Sequence, residues 1–204
     1  MRNLILSGVV GAVLLGFGCE RGTSDTYSSS SGSVALSKDE SFLYAVDSDN
    51  EIVVVLDTKT DQKVSQVKLG KAPERIIVGP DETLYVTNRG ERSVSVIRKG
   101  EWDLEATKIP VGVEPVGLAI SADNKTLYVV NSTSLEATEY GTLTAIDVAS
   151  RQTKWDVRVG EEPRGIALLG NNKAMVSLYK RGDVVTVDLD KGEVTSDASN
   201  VYDK

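Results

Sequence analysis

The chain has no histidine and one cysteine among its 204 residues. Without imidazole there is no Ser-His-Asp triad, no Cys-His pair and no imidazole base. A Cys/His zinc site and a histidine-ligated haem are excluded as well. Neither Gly-rich phosphate loop, G-x-x-x-x-G-K-[ST] or G-x-G-x-x-G, occurs. Aromatic residues make up only 5% of the chain, and the longest apolar stretch, near the N-terminus, is too short to cross a bilayer. Positive charge is also short: 23 Lys and Arg stand against 30 Asp and Glu, a net charge of -7. No net positive field exists to replace phosphate counterions, so no nucleic-acid partner is expected. These absences leave no catalytic set, metal site or cofactor to assign.

What is present begins with an address. Arg2 and the free amino group form a short positive region, followed by fourteen apolar or small residues from Leu4 to Phe17. That length suits the core of a secretory signal. It ends in Gly16-Phe17-Gly18-Cys19. A small residue before a cysteine at this point resembles the lipobox of bacterial lipoproteins. The resemblance implies cleavage after residue 18 and lipidation of Cys19. It is imperfect, since such signals prefer Leu three before the cysteine, where this chain has Gly16. The alternative is an ordinary signal cut near Gly18. At about 0.8 kcal/mol per buried methylene, several acyl chains would anchor the protein durably. The expectation is a membrane-anchored lipoprotein of the bacterial cell envelope, periplasmic or surface-facing. Residues 19–32, rich in Ser and Gly, read as a tether.

The remainder is a repeat. Phe42-Leu43-Tyr44-Ala45-Val46-Asp47, Thr83-Leu84-Tyr85-Val86-Thr87-Asn88 and Thr126-Leu127-Tyr128-Val129-Val130-Asn131 share one pattern, with tyrosines 41 and 43 residues apart. A Gly-x-x-Pro turn recurs at Gly70 to Pro73, Gly112 to Pro115 and Gly160 to Pro163. The prolines lie 42 and 48 residues apart, and the six extra residues fall in one loop, Ser132 to Tyr140. Each unit holds four short β-branched stretches bounded by Gly, Pro, Asp or Asn. Ile52 to Leu56 is apolar throughout, as expected of a strand covered on both faces. Four-stranded units of this period are blades of a β-propeller. The predicted class is all-β: about four four-stranded antiparallel blades over residues 33–197, then a polar tail over 198–204.

Leu84-Tyr85-Val86-Thr87-Asn88 carries the motif that names the YVTN-repeat β-propellers, and Leu127-Tyr128-Val129-Val130-Asn131 differs from it by one residue. The chain therefore resembles that family from about Ser33 to Thr195. The fourth unit departs from it, with Lys173-Ala174-Met175-Val176-Ser177-Leu178 lacking the Tyr and Asn. Members of the family close their rings with more than four blades. A truncated chain, a ring shared with another copy, and a small four-bladed ring all remain open.

An up-and-down blade puts the loops between its second and third strands on the same face as the connections between blades. Asp47, Asp49, Arg75, Arg89, Arg92, Glu136, Glu139, Tyr140 and Arg164 fall on that face and are the candidate binding residues. Asp47-Ser48-Asp49-Asn50-Glu51 could suggest calcium, but an EF-hand loop needs Gly where Ile52 stands, so a polar hairpin turn is the simpler reading. The recurring tyrosines read as packing positions, and Asn88 and Asn131 as side chains that bond turn backbone. Trp102 and Trp155 each open a fourth strand and read as rim packing, with a stacking platform as the alternative. Two functions fit. One is a lipid-anchored scaffold that binds an envelope protein, a ligand or itself. The other is a hydrolase of sugar lactones, as the family's likeness to lactonase propellers implies, with Arg75 or Arg164 beside the Gly-x-x-Pro turns.

Overall fold

The computed structural model describes residues 31–102, 105–133, 140–180 and 182–198. Cys19, Glu136 and Glu139 lie outside the described residues. Among the described residues every regular element is a strand, and the sixteen strands form four sheets. The first sheet holds β1 (Val34–Leu36), β2 (Phe42–Asp47), β3 (Ile52–Asp57) and β4 (Gln62–Lys68). The second holds β5 (Pro73–Val78), β6 (Leu84–Asn88), β7 (Ser93–Ile97) and β8 (Thr107–Pro110). The third holds β9 (Val113–Ile120), β10 (Thr126–Thr133), β11 (Gly141–Asp147) and β12 (Thr153–Gly160). The fourth holds β13 (Pro163–Leu169), β14 (Lys173–Leu178), β15 (Asp183–Asp188) and β16 (Glu193–Ala198). Each is an antiparallel meander in chain order, as the blade reading requires.

The register places the repeat positions alike. Tyr44 pairs with Val55, Tyr85 with Val96, Tyr128 with Ala145, and Met175 stands at the tyrosine position opposite Thr186. Three apolar clusters join the sheets in sequence. Tyr44, Val53 and Val55 pack on Ile76, Leu84 and Val86 of the second sheet. Tyr85 and Ile77 pack on Leu118, Leu127 and Val129 of the third. Tyr128 and Val130 lie in one cluster with Ile166, Ala174 and Val176 of the fourth. Among the described residues no cluster joins the first sheet to the fourth, so the row is open there.

That opening corrects one expectation. Ile52 to Leu56 is not covered on both faces. Val53 and Val55 are buried, whereas Ile52, Val54 and Leu56 are only half-buried. The sequence pattern is that of a strand between two sheets, but among the described residues only the second sheet packs on it.

Many of the tight turns are built without glycine, although Gly100, Gly182 and Gly192 take the left-handed conformation in others. Glu40, Glu82, Asn124 and Asn172 hold φ between 55° and 62° at the same place in the first hairpin of each blade. Ala72, Glu114 and Glu162 do so, at 45° to 51°, in the connections between blades. L-residues pay a modest steric cost there, and the hairpin geometry imposes it regardless of residue type.

Candidate functional site

The loop face is assembled by backbone bonds between the second hairpin of one blade and the connections that flank it. Arg89 and Gly90 donate their N–H groups to the carbonyls of Ala72 and Lys71, at 3.0 Å each. Val111 donates to Arg92 at 2.9 Å, and Tyr179 to Glu162 at 3.0 Å. The expected clustering of these loops on one face is therefore present.

On this platform the charged side chains pair with one another. Arg89 reaches Glu114 at 3.1 Å and Glu74 at 3.8 Å, bridging the second blade to the entry of the third. Arg75 lies 3.8 Å from the same Glu74. Lys108 meets Glu91 at 2.8 Å, and the Glu91 carboxylate also accepts the Lys71 N–H at 3.1 Å. The Lys108 ammonium, then the Lys71 N–H and the Ser93 hydroxyl at 3.3 Å, hold Glu91 below the usual carboxylate range. Arg164 sits 3.9 Å from Glu162 and stacks over the Tyr179 ring at 5.5 Å, while Lys180 approaches Glu162 at 3.5 Å. All these groups are partly exposed, so each pair adds little to stability.

The other candidates behave differently. Asp47 accepts the Asn50 side-chain amide at 2.7 Å and its backbone N–H at 3.0 Å. Those two bonds, the side-chain one first, lower its pKa. The segment is a polar hairpin turn, and among the described residues no group of three or more His, Cys, Asp or Glu could hold a metal ion. Asp49 and Arg92 are exposed turn residues, and Tyr140 is exposed at the end of the long loop. The sequence reading missed the carboxylates of Glu74, Glu91, Glu114 and Glu162. Their recurrence in the Gly-x-x-Pro connections and second hairpins was the available signal.

Below this face, Asn88 and Asn131 are fully buried. Asn88 accepts the Gly70 N–H at 3.1 Å and donates to Ser93 and Ser95 at 2.9 Å each. Asn131 donates to Thr142 at 3.0 Å and Thr144 at 2.8 Å. A Cβ on Gly70 would fall 2.6 Å from the Asn88 Cγ, and one on Gly112 would fall 2.5 Å from the Asn131 Cγ. The Asn and the glycine of the Gly-x-x-Pro turn are thus two halves of one contact. The tryptophans are packing residues. Trp102 lies in the turn before β8 and meets Phe42 of the first blade edge-on, with centroids 4.7 Å apart. Trp155 lies within β12, beside Tyr128 at 6.0 Å and against Gly192 of the fourth blade.

The first strands of successive blades lie side by side around the axis. Their free edges are met by the chain itself. Gly32 exchanges two backbone bonds with Ile76 of β5, at 3.3 and 2.7 Å, and the Ser31 hydroxyl accepts the Leu118 N–H of β9 at 3.1 Å. The end of the Ser/Gly stretch therefore crosses the inner strands of the second and third blades.

No protein-family model matches the chain, and no curated protein matches its sequence. Solved structures do match its shape. Hydrazine synthase from Kuenenia stuttgartiensis aligns at 25% identity with a TM-score of 0.73, over 89% of this chain and 52% of that one. A catalytically inactive virginiamycin B lyase from Staphylococcus aureus, solved with quinupristin, aligns at 11% identity and 0.68, over 86% and 57%. A chain of a nidogen/laminin complex aligns at 15% identity and 0.61, over 81% and 62%. The fold is a β-propeller. The chain spans about half the length of these propellers. They include a lyase and a binding assembly, so the shared fold does not select a function.

Proposed function

We propose that this chain is a YVTN-type propeller anchored to the cell envelope by a lipid on Cys19, and that it works as a binding scaffold without chemistry of its own. The observation that carries this reading is the occupation of the axis. Ser31 and Gly32 cover the inner edges of β5 and β9, where a ligand in a propeller channel would lie. The loop face supports it too. Arg75, Arg89, Lys108, Arg164 and Lys180 are engaged by Glu74, Glu91, Glu114 and Glu162, an arrangement suited to an exposed, charge-patterned docking surface. A protein partner in the envelope would meet that face.

The test is expression of the full chain in bacteria with a clickable palmitate analogue, followed by fractionation and cross-linking. The expected result is a labelled protein in the membrane fraction, cross-linked to a partner. Cys19→Ser should abolish label and membrane association together. An unlabelled soluble wild-type chain would overturn the anchor. Hydrolysis of a sugar lactone by the purified protein, lost in Arg164→Ala, would replace the scaffold reading with the hydrolase one.

A further inference from the structure

The contact between neighbouring sheets is polar in direction. Tyr44, Tyr85 and Tyr128 each pack toward the following sheet, and Leu84, Val86, Leu127 and Val129 each pack toward the preceding one. The interface is therefore heterologous, with one kind of face always meeting the other kind. The described sheets leave one unmatched face of each kind. On the first sheet, Leu43 and Ala45 stand where Leu84 and Val86 stand in the second, beside Leu56 and Val54 by register. These four are half-buried, whereas Leu84 and Val86 are completely buried. A hollow of about 570 Å³ lies on this face, floored by Ile52 and Val54 and rimmed by Asp47, Gln66 and Lys68. On the fourth sheet, Met175 occupies the tyrosine position and is 39% exposed, flanked on its strand neighbours by Ala167 and Thr186. Among the described residues, every large exposed hydrophobic apart from Tyr140 belongs to the first or fourth sheet or its loops.

We propose that two copies of this chain form one ring, each laying the Met175 face of its fourth sheet on the Leu43/Ala45 face of the other's first sheet. The occupant is a second copy because a single chain carries both halves of an interface it already makes three times. A heterologous contact must either close or run on as a filament, and closure by two copies is the outcome proposed. The inference rests on the fold and not on the lipid anchor.

Sedimentation of the full chain in mild detergent at tens of micromolar tests it. The expected protein mass is twice that of the single chain, whose full 204 residues weigh 21.9 kDa before any signal is removed. Ala45→Arg and Met175→Arg should each weaken the dimer at least about a hundredfold, since each puts a charge at the centre of an apolar interface. Circular dichroism should stay unchanged in both. An equimolar mixture of the two variants should regain dimer, because one wild-type face of each kind survives in the pair. Thr186→Arg, on the neighbouring strand, repeats the test if Met175→Arg fails to fold. A monomeric wild type, a ladder of ever larger species, or a dimer that survives Met175→Arg would each overturn the proposal. An unlipidated, soluble chain that still dimerises would remove the anchor and leave the ring intact.

Discussion

Asn88 is completely buried, yet all three of its hydrogen bonds are made inside the protein. Its oxygen holds the first glycine of the Gly-x-x-Pro turn, and its amide holds two serines of the next strand. One side chain thus fixes the loop face to the sheet beneath it. Asn88→Ala would leave the Gly70 N–H and the Ser95 hydroxyl without this partner, while the Ser93 hydroxyl keeps its bond to Glu91. Buried polar groups left unpaired cost about 1–3 kcal/mol each when water cannot reach them. The expected loss is roughly 2–4 kcal/mol, read as a lowered midpoint in chemical denaturation. A variant within a few tenths of a kcal/mol of the wild type would remove the asparagine from this role. Much of this site was legible in the sequence. The strand-ending asparagines pointed to turn backbone, and the tyrosine spacing pointed to packing. The glycine partner was not legible, because it lies 18 residues away from Asn88 and only the fold closes that distance. Nor was the fate of Arg89: its partners Glu74 and Glu114 come from the strand and the connection on either side of its own hairpin, which no local motif joins to it.

At the scale of the element, the hairpins are held by aspartates. Asp57 accepts the Lys59 and Thr60 N–H groups at 2.9 Å each and the Thr60 hydroxyl at 3.0 Å. Asp39, Asp123 and Asp147 make comparable bonds in other hairpins. The Thr60 N–H, then its hydroxyl, lower the Asp57 pKa from its ordinary 3.8, and donors from the turn lower the other three. The unfolded chain lacks these bonds, so its aspartates keep the ordinary value. The stability they add is complete above that value and is lost as pH falls through it toward the lower folded values. The melting temperature should be level near neutrality and drop below about pH 4. Asp57→Asn should flatten part of the drop, and an unchanged acid profile would contradict the assignment. The hairpins were readable from Ser, Gly, Pro and Asp in the turns. The left-handed Glu40, Glu82 and Glu114 were not, since glutamate carries no signal for that conformation. The half-exposed face of β3 was hidden for a different reason. Alternation records what a strand is built to pack against, and Ile52 and Val54 are built for a sheet that precedes the first.

The whole molecule is a row in which each sheet stabilises its neighbours. The second and third sheets are covered on both sides, and β6 is buried along its entire length. The first and fourth sheets are covered on one side. In such quasi-one-dimensional arrays, stability is the sum of unit and interface contributions, so end units open first. Hydrogen exchange should be slowest in β6, β7, β10 and β11 and faster in β2, β3, β14 and β15. The contrast is informative because the hydrogen bonds of the inner and outer sheets are of the same kind. Only the number of covering faces differs. The same measurement separates a lone arc from a closed ring. In a lone arc the gradient is independent of protein concentration. In a ring of two copies, raising the concentration buries Leu43, Ala45 and Met175, and exchange in β2, β3 and β14 slows while β6 and β10 stay unchanged. Uniform exchange across all four sheets at low concentration would mean that the arc opens as one cooperative unit, and the sum of local interfaces would then be the wrong description of its stability.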